Sequence, residues 1–396
     1  VKRGDGSMPG RDWGRLDSLL TGFVEEGRLP GCGLAVTQDG ATQYEGCFGS
    51  VDAARGAFTP ETPLLLHSVS KVITCVAAMQ LYERGLFALD DPIKDYIPAF
   101  SNPRVAVQMY LYDRFENAAR DITIRDLFTM TSGLPYPSET AGVELALCRE
   151  YERLYEEERS GAVHTLSDVV ELLANTPLKF QPGTDWMYGA SHMVVGRLVE
   201  VLSGMRLGTY LKRFVYEPLK MEHTRFTSEL PEAEQPYLTV NNGGRFEKWD
   251  KKSLILGALS IETPCAGIVS DMRDMARFSA MLSSRGAYGG ARILGENTVD
   301  LMCMNALNET QLKTFNDCTW PTNRGFGYGL GMRTLLDPAK AGYNMGAGAF
   351  GWEGHCGCYL LADPAKNMSI FYAQQMAPNG IAYFAPRFLA VIAGIL

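Results

Sequence analysis

The spacing of apolar residues near the start of the chain indicates a helix. In residues 12–27, DWGRLDSLLTGFVEEG, the apolar residues Leu16, Leu19, Leu20 and Phe23 recur at helical spacing. This period predicts an amphipathic helix. Gly27 is placed to end it, because glycine readily adopts the left-handed conformation that closes many helices.

Two runs of strand-forming residues follow the predicted helix. They lie in residues 32–49, CGLAVTQDGATQYEGCFG, and the pair Asp39-Gly40 separates them. An Asp-Gly pair between two such runs is a strong signal for a β-hairpin. We therefore predict two antiparallel strands joined by a two-residue turn.

A third segment is apolar on nearly every face. It occupies residues 64–85, LLLHSVSKVITCVAAMQLYERG, and the apolar residues from Val69 onward leave almost no polar face. A helix without a polar face is buried on all sides in a folded protein. Ser68 and Lys71 lie at its start, three positions apart, so their side chains share one face of the first turn.

The rest of the chain completes an α+β order. Helical patterns with little strand character fill the middle of the chain. A helix with Ser270 as its expected N-cap follows, and then come strand-like runs near 328–334, 356–362 and 367–374. An antiparallel sheet made from both ends of the chain and flanked by helices, with a mainly helical insertion, accommodates this order best.

This order also predicts a division into two domains. The sheet-and-helix domain would comprise residues 12–100 and 255–396, and the mainly helical domain would comprise residues 101–254. The apolar tail YFAPRFLAVIAGIL indicates a terminal helix that docks on the first domain.

The composition and charge of the chain limit the classes of molecule that it is expected to bind. The formal net charge is -8, which argues against nucleic acid, because phosphate binding needs clustered lysine and arginine. Hydrophobic residues make up 46% of the chain and charged residues 21%, as in ordinary globular proteins. No uninterrupted run of about 18 apolar residues is present, so we predict no membrane span.

The nine cysteines are scattered along the chain. A disulfide framework would favour an even number in a shorter chain, so we expect reduced thiols and a reducing compartment. The first residues lack the apolar segment of a secretory signal, and we therefore expect a cytoplasmic protein. Only Cys356 and Cys358 are close in sequence, and without further ligands beside them we predict neither a metal nor another cofactor.

The pair Ser68 and Lys71 suggests nucleophilic catalysis. Burial and the positive end of a helix dipole both disfavour an ammonium ion, and a neutral amine beside a serine hydroxyl is a general base. The alternative is that Ser68 or Ser70 caps the helix and Lys71 extends to solvent. Between the two serines we predict Ser68 as nucleophile, because Ser70 is adjacent to Lys71 and faces away from it.

Ser68-Val69-Ser70-Lys71 resembles the first motif of the serine β-lactamase and penicillin-binding-protein superfamily. Further similar blocks occur in the family's order from about residue 12 to the last residue, among them ITIRDLFTMTSGLPY, PGTDWMYGASHMVVGRLVEVLSG, GFGYGLGM and GHCGCYLLADP. The chain most resembles the class C β-lactamase branch, particularly the family VIII carboxylesterases. It also resembles the related acyltransferases of the statin pathway. The resemblance implies an antiparallel sheet flanked by helices plus a helical domain.

The resemblance also implies roles for individual residues. Ser68 would be the acylated nucleophile, Lys71 its proton partner, and Tyr188 the catalytic tyrosine that takes the serine proton and returns it to the leaving group. Taken alone, Tyr188 would be a half-buried aromatic residue with a hydrogen-bonded hydroxyl. The backbone N–H groups of Ser68 and Cys358 would form the oxyanion hole.

Other positions are candidate substrate contacts. The family's third motif falls on His355-Cys356-Gly357, where His355 would help bind a substrate carboxylate or polarise Tyr188, and Gly357 would let substrate lie against a strand. Tyr136 follows the block TSGLP and is expected to face the pocket. The segment YLTVNNGGRFEKWD, residues 237–250, predicts a surface hairpin, with Trp249 as a candidate for lining an acyl pocket.

One motif departs from the family. The family pattern Tyr-x-Asn is Tyr188-Gly189-Ala190 in this chain, which removes the amide that would bind the amide of a penicillin or a peptide. Ser191 and His192 are the nearest polar residues, but neither is in register.

The combined interpretation is a serine hydrolase that forms an acyl-enzyme on Ser68. We predict a carboxylesterase acting on a small-molecule ester or amide. β-Lactamase, D-amino-acid peptidase and acyltransferase activities remain alternatives, as does a ligand sensor that is acylated without turnover. A catalytically silent scaffold is disfavoured, because Ser68, Lys71 and Tyr188 are all present.

Overall fold

The structure is a computed structural model, and it describes most of the chain. The described residues are 11–52, 56–107, 114–231, 234–236, 238–242, 245–248, 260–318 and 321–396. Trp249, predicted from the sequence to line an acyl pocket, lies outside them.

The first helix and the hairpin form as their patterns predict. The helix spans Gly14–Glu25, and Gly27 beyond it has a φ of 67°, the left-handed conformation expected at a helix end. The hairpin strands are Gly31–Gln38 and Ala41–Asp52. Both turn residues, Asp39 and Gly40, have positive φ, as a two-residue turn of the I′ type requires.

Both ends of the chain contribute to an antiparallel sheet, which we call the main sheet. Gly33 of the first hairpin strand pairs with Ala373 of the last long strand, so residues from both ends of the chain lie side by side in the sheet. Its eight described strands are, in spatial order, Phe326–Tyr328, Arg333–Leu335, Phe350–Glu353, Tyr359–Asp363, Met368–Ala373, Gly31–Gln38, Ala41–Asp52 and Gly56–Ala57.

The strand predictions in the last third of the chain are partly wrong. The run near 328–334 is two short strands around a turn, and Phe350–Glu353 is a strand that the pattern did not predict. Residues 354–358 form a turn before the strand Tyr359–Asp363. Three glycines between 327 and 331 explain the first error, because they interrupt the alternation that marks a strand.

Helices cover the main sheet. The terminal helix Ile381–Ala393 packs on Gly14–Glu25, and the helix Met272–Ser283 packs on the central strands of the sheet. The N-cap of Met272–Ser283 is Asp271, whose carboxylate accepts the backbone N–H of Asp274. The predicted cap, Ser270, instead ends a short strand.

We call the buried helix Ser70–Glu83 the central helix. The central helix packs against Ser191–Ser203, and almost all of its side chains are buried, as predicted. The remaining α-helices of four or more described residues are Ile124–Phe128, Val143–Arg159, Leu166–Asn175, Leu207–Leu211, Glu296–Cys303, Glu309–Asp317 and Pro338–Ala341. The division into two domains at residues 101 and 254 stays a prediction.

Short strands complete the fold. Leu64–Leu65, Ile268–Ser270 and Arg225–Phe226 form a small sheet directly before the central helix. The predicted hairpin near 237–250 forms from Thr239–Asn242 and Arg245–Lys248. The other short strands are Met376–Ala377, Ala287–Tyr288, Ala291–Arg292, Arg104–Ala106 and Phe115–Asn117.

Two further predictions concern the state of the cysteines and the presence of a membrane span. All nine cysteines fall within the described residues, and all are free thiols. None of the helices in the described ranges has both the length and the apolar character needed to traverse a lipid bilayer.

Candidate active site

Ser68 lies in a tight turn at the start of the central helix. The turn spans His67–Val69, and the helix begins at Ser70 without any capping side chain. The Ser68 side chain is half-buried. Ser70 is fully buried, and its hydroxyl accepts the backbone N–H of Ile268 at 3.3 Å. The structure therefore leaves Ser68, and not Ser70, accessible at this turn.

The amine of Lys71 is held beside Ser68. It donates to Ser68 Oγ at 3.1 Å and to the backbone carbonyl of Cys265 at 2.8 Å. Lys71 is only 1% exposed, which excludes the alternative that its side chain extends to solvent. Two hydrogen bonds offset part of the unfavourable free energy of burying an amine.

Two tyrosine rings form a wall beside this amine. Lys71 Nζ lies 4.9 Å from the centroid of the Tyr188 ring and 5.5 Å from that of Tyr136. The two rings meet edge to face at 5.7 Å, and both are half-buried. Burial raises the pKa of the Tyr136 hydroxyl well above its ordinary value. Tyr188 and Tyr136 thus both lie beside Lys71, and their predicted roles in catalysis and substrate binding stay predictions.

A residue that the sequence analysis missed completes this wall. Trp352 stacks on Tyr188 with ring centroids 5.4 Å apart, and its indole Nε1 donates to the Tyr188 hydroxyl at 3.0 Å. The available signal was weak, since Trp352 merely precedes His355 by three positions. The carbonyl of Cys265 had no sequence signal at all, because every residue carries one.

The loop that contains the third motif lies against the turn of Ser68. The rings of His355 and His67 are 5.7 Å apart, and an added Cβ at Gly354 would come within 2.4 Å of the Leu66 carbonyl oxygen. His355 is exposed, whereas Cys358 is buried. This placement fits the expected substrate and oxyanion-hole contacts of the loop, which stay predictions.

Gly357 has a structural reason to be glycine. Its φ is 98°, and a Cβ at this position would lie 2.1 Å from the amide nitrogen of Gln374. Gln374 is fully buried and donates to the carbonyl of Asn379 at 2.6 Å, so it has little room to move. The predicted contact of Gly357 with substrate remains untested.

The residues after Tyr188 do not replace the missing family asparagine. Ala190 is fully buried at the start of the helix Ser191–Ser203. Ser191 shares a hydrogen bond of 2.8 Å with Ser132, and Nε2 of His192 lies 3.2 Å from the carbonyl oxygen of Phe128. Burial lowers the pKa of His192 to about 3. Both polar side chains therefore bond to interior partners.

One group within the described ranges has the chemistry of a metal site. The ligand atoms of His223, Asp271 and Asp274 lie within 4.8 Å of one another. Protein donors already engage these carboxylates, because Asp271 accepts from His223 Nδ1 at 2.6 Å, and Asp274 accepts from Thr224 and from Arg277. This arrangement is a hydrogen-bonded cluster at a helix start, and it includes none of the predicted catalytic residues.

Comparison with known sequences identifies the family. The profile of the Beta-lactamase family matches residues 16–393. Protein Rv1367c of Mycobacterium tuberculosis is 30% identical over 330 residues, which span 81% of this chain and 79% of that protein. Esterase EstB of Burkholderia gladioli is 29% identical over 396 residues, which span 93% of this chain and 91% of EstB.

Solved structures confirm the predicted fold class. Simvastatin synthase LovD from Aspergillus terreus has a TM-score of 0.80 at 23% identity and covers 97% of this chain and 98% of its own. EstCE1, described as a hydrolase with promiscuous acyltransferase activity, has a TM-score of 0.79 at 21% identity, with coverage of 96% and 98%. The fold is thus the antiparallel sheet with flanking helices of the β-lactamase and transpeptidase type. Together with the family profile, this places the chain in the Beta-lactamase family of serine hydrolases.

Proposed function

We propose that this protein is a carboxylesterase that forms an acyl-enzyme on Ser68. The observation that carries the proposal is the hydrogen bond of 3.1 Å between the buried Lys71 amine and the half-buried Ser68 hydroxyl. A serine next to an amine that is shielded from water is an activated nucleophile. Tyr188 lies on the same side of the amine and supplies a second proton carrier.

In the proposed acylation step, the Ser68 hydroxyl replaces the alcohol of the ester substrate, and one proton is transferred. Ser68 Oγ bonds to the ester carbonyl carbon, and its proton passes to the pair of Lys71 and Tyr188. The oxyanion that forms accepts hydrogen bonds from the backbone N–H groups of Ser68 and Cys358. The bond to the alcohol then breaks, and the alcohol leaves with the proton.

Deacylation follows the same steps with water as the nucleophile. Water gives a proton to the same pair and bonds to the acyl carbon, and the oxyanion occupies the same place. When this intermediate collapses, the proton returns to Ser68 Oγ and the carboxylic acid leaves. No cofactor takes part in the proposed cycle.

Three features favour an ester over a peptide or a β-lactam. Position 190 carries a buried alanine, and the neighbouring Ser191 and His192 are bonded to interior partners. An amide substrate would lose its own hydrogen bonds to water without gaining a side-chain amide in exchange. The half-buried side chains beside the Lys71 amine are the aromatic rings of Tyr136 and Tyr188, which suit an apolar acyl or alcohol group.

The pocket entrance is the proposed place of the remaining substrate contacts. His355 is exposed beside the Ser68 turn and can donate to or accept from a polar group of the substrate. Gly357 belongs to the same turn, and its contact with substrate stays part of the proposal. Trp249 stays a candidate for the acyl pocket on sequence grounds alone.

Acyl transfer is the second candidate function. The same acyl-enzyme would acylate an alcohol if that alcohol reached the ester carbon before water. EstCE1 is described as a hydrolase with acyltransferase activity, and LovD is described as a synthase. Their similarity in fold to this chain makes transfer worth testing alongside hydrolysis.

A fluorophosphonate probe tests the nucleophile. We expect the intact mass of the wild type to increase by one probe adduct, with the adduct on Ser68. Ser68→Ala should abolish the adduct, while the matched control Ser70→Ala should retain it, because Ser70 is buried and bonds to the backbone. Labelling of Ser70, or no labelling of the wild type, would refute the proposed function.

Turnover assays separate the activities. Steady release of p-nitrophenol from p-nitrophenyl butyrate, absent in Ser68→Ala, would support the esterase, whereas a single burst would indicate a stalled acyl-enzyme. Faster turnover of nitrocefin than of the ester would favour a β-lactamase. Ester products that form when a primary alcohol is added would support acyl transfer.

A further inference from the structure

The side-chain amide of Gln375 binds the backbone of Leu65 at two points. The N–H of Leu65 donates to Gln375 Oε1 at 2.9 Å, and Gln375 Nε2 donates to the Leu65 carbonyl oxygen at 3.2 Å. Gln375 is 5% exposed and Leu65 is 8% exposed, so water has little access to either hydrogen bond. The two residues are 310 positions apart. The contact therefore joins the end of the last long strand of the main sheet to the segment directly before Ser68.

The strand that contains Leu65 lies at the edge of its small sheet in the part of the chain that the structure describes. On the paired side of this strand, the N–H of Leu66 donates to the Ile268 carbonyl at 2.9 Å. The backbone groups of successive residues in a strand point to opposite sides, so the N–H and C=O of Leu65 point away from that neighbour. Buried backbone groups without a partner destabilise a fold. The amide of Gln375 satisfies both groups in place of a neighbouring strand.

The same segment also holds the loop that contains the third motif. Gln375 Nε2 donates to the Cys358 sulfur at 3.6 Å, and the backbone N–H of Met376 donates to the Cys356 carbonyl at 3.0 Å. Gln375 and its neighbour thus contact both the strand before Ser68 and the loop whose Cys358 N–H is predicted to bind the oxyanion.

An oxyanion hole requires these two segments to lie at a fixed distance from each other. The proposed hole combines a backbone N–H from each of Ser68 and Cys358, and such donors act when they lie about 2.7–3.1 Å from the oxyanion. The turn His67–Val69 begins two residues after Leu65. A shift of the Leu65 backbone would therefore move Ser68 relative to Cys358. A misplacement of about 1 Å can slow a reaction about 10²-fold.

We propose that Gln375 is a positioning residue for the oxyanion hole, because its amide fixes the backbone of Leu65, and with it Ser68, at the distance from Cys358 that the hole requires. This inference rests on the proposed function, since it assigns a role within the same reaction. Gln375 acts only through the backbone of its neighbours and does not need to contact substrate.

The variant Gln375→Met removes both hydrogen bonds to Leu65 and keeps a side chain of similar length. We expect kcat for p-nitrophenyl butyrate to fall about 10- to 100-fold, as for a misplaced oxyanion-hole donor. KM should change by less than about threefold, because the bound ester has not yet formed an oxyanion. Far-UV circular dichroism of the same preparation shows whether the assayed protein is folded. An unchanged kcat in the folded variant would overturn the inference.

Gln375→Glu is the conservative variant, and it keeps the inference testable if Gln375→Met does not fold. At pH 8 its carboxylate still accepts from the Leu65 N–H, but it has no N–H to donate to the Leu65 carbonyl. We expect kcat to fall in this variant as well, with KM again close to that of the wild type. A kcat equal to that of the wild type would contradict the role of the amide.

Gln80→Met is the matched control. Gln80 Nε2 donates to the carbonyls of Phe214 and Ile293, both at 3.1 Å, so this amide also joins distant segments through two hydrogen bonds. It lies roughly 13 Å beyond Lys71 along the central helix. This variant should lose stability and retain the kcat of the wild type. An equal fall in kcat would show that lost stability, and not the position of Leu65, is responsible, and the inference would then be wrong.

A transition-state analogue separates positioning from general damage. Phenylboronic acid adds reversibly to an activated serine hydroxyl and presents a charged oxygen where the oxyanion forms. Its inhibition constant should rise in Gln375→Met by about the factor by which kcat/KM falls, and it should stay unchanged in Gln80→Met. An unchanged inhibition constant in Gln375→Met would refute the positioning role. Wild-type protein that a fluorophosphonate does not label would instead refute the proposed function itself.

Discussion

The amine of Lys71 donates to the backbone carbonyl of Cys265 at 2.8 Å, although the two residues are 194 positions apart in the chain. This bond fixes the end of a long, flexible side chain and offsets part of the rotational entropy that the side chain loses on burial. It also directs the amine toward Ser68 Oγ, its second partner. The geometry of the site thus depends on a segment that carries no catalytic motif.

Lys71→Met should remove the proposed base and keep the fold. Methionine has nearly the same length and fills the space without an amine, so we expect the rate of fluorophosphonate labelling to fall about 10²- to 10⁴-fold. Far-UV circular dichroism should stay that of the wild type. Lys313→Met, the same change at a side chain that is 79% exposed, should leave labelling unaffected. Wild-type labelling by Lys71→Met would contradict the proposed role.

Gly357→Ala should destabilise the protein more than Gly348→Ala. Both glycines have strongly positive φ, 98° and 91°, so both substitutions carry the same backbone strain. Only at Gly357 would the new methyl group meet a side chain, that of Gln374, while Gly348 faces open space. We expect the extra loss for Gly357→Ala to be about 1–3 kcal/mol, as for overpacking in a core. Thermal unfolding of the two variants measures the difference, and equal midpoints would rule out the clash.

His192 should make the protein sensitive to acid. Burial lowers its pKa from 6.5 to about 3 in the folded state, so below pH 6.5 the unfolded chain binds a proton that the folded chain does not. Stability from this residue is therefore lost as pH falls from about 6.5 toward 3. Between pH 7 and pH 5 the loss should be roughly 2 kcal/mol.

His192→Gln isolates this contribution. The amide N–H can still donate to the Phe128 carbonyl, which accepts from His192 Nε2 in the wild type. We expect urea unfolding of this variant to lose less stability between pH 7 and pH 5 than that of the wild type. The same loss in both proteins would show that His192 is not the residue that titrates.

Glu353→Gln should be strongly destabilising. The guanidinium of Arg333 is 2% exposed, and its ion pair with Glu353 has no access to bulk water on the arginine side. Removal of one partner leaves a buried charge uncompensated, which typically costs about 3–5 kcal/mol. Asp317→Asn breaks the exposed pair with Lys313 and should cost less than about 1 kcal/mol. Comparable unfolding midpoints for the two variants would contradict this account.

Local patterns alone predicted several elements of the fold and the proximity of Ser68 and Lys71. The helix Gly14–Glu25, the turn at Asp39 and Gly40, and the buried central helix form as expected. Each depends on the spacing of neighbouring side chains or on backbone preferences, which are properties of a short stretch. The proximity of Ser68 and Lys71 follows from helix geometry for the same reason.

Only the tertiary structure decided what surrounds that pair. Tyr188 receives its hydrogen bond from Trp352, 164 positions away, and the Lys71 amine is held by a carbonyl of Cys265. Ala190 is buried at the position where the family pattern has an asparagine. Such contacts join segments whose distance in space depends on how sheet and helices pack, so no local pattern specifies them. The sequence by itself therefore determined that Ser68 and Lys71 lie side by side, whereas long-range packing decided which groups hold and orient them.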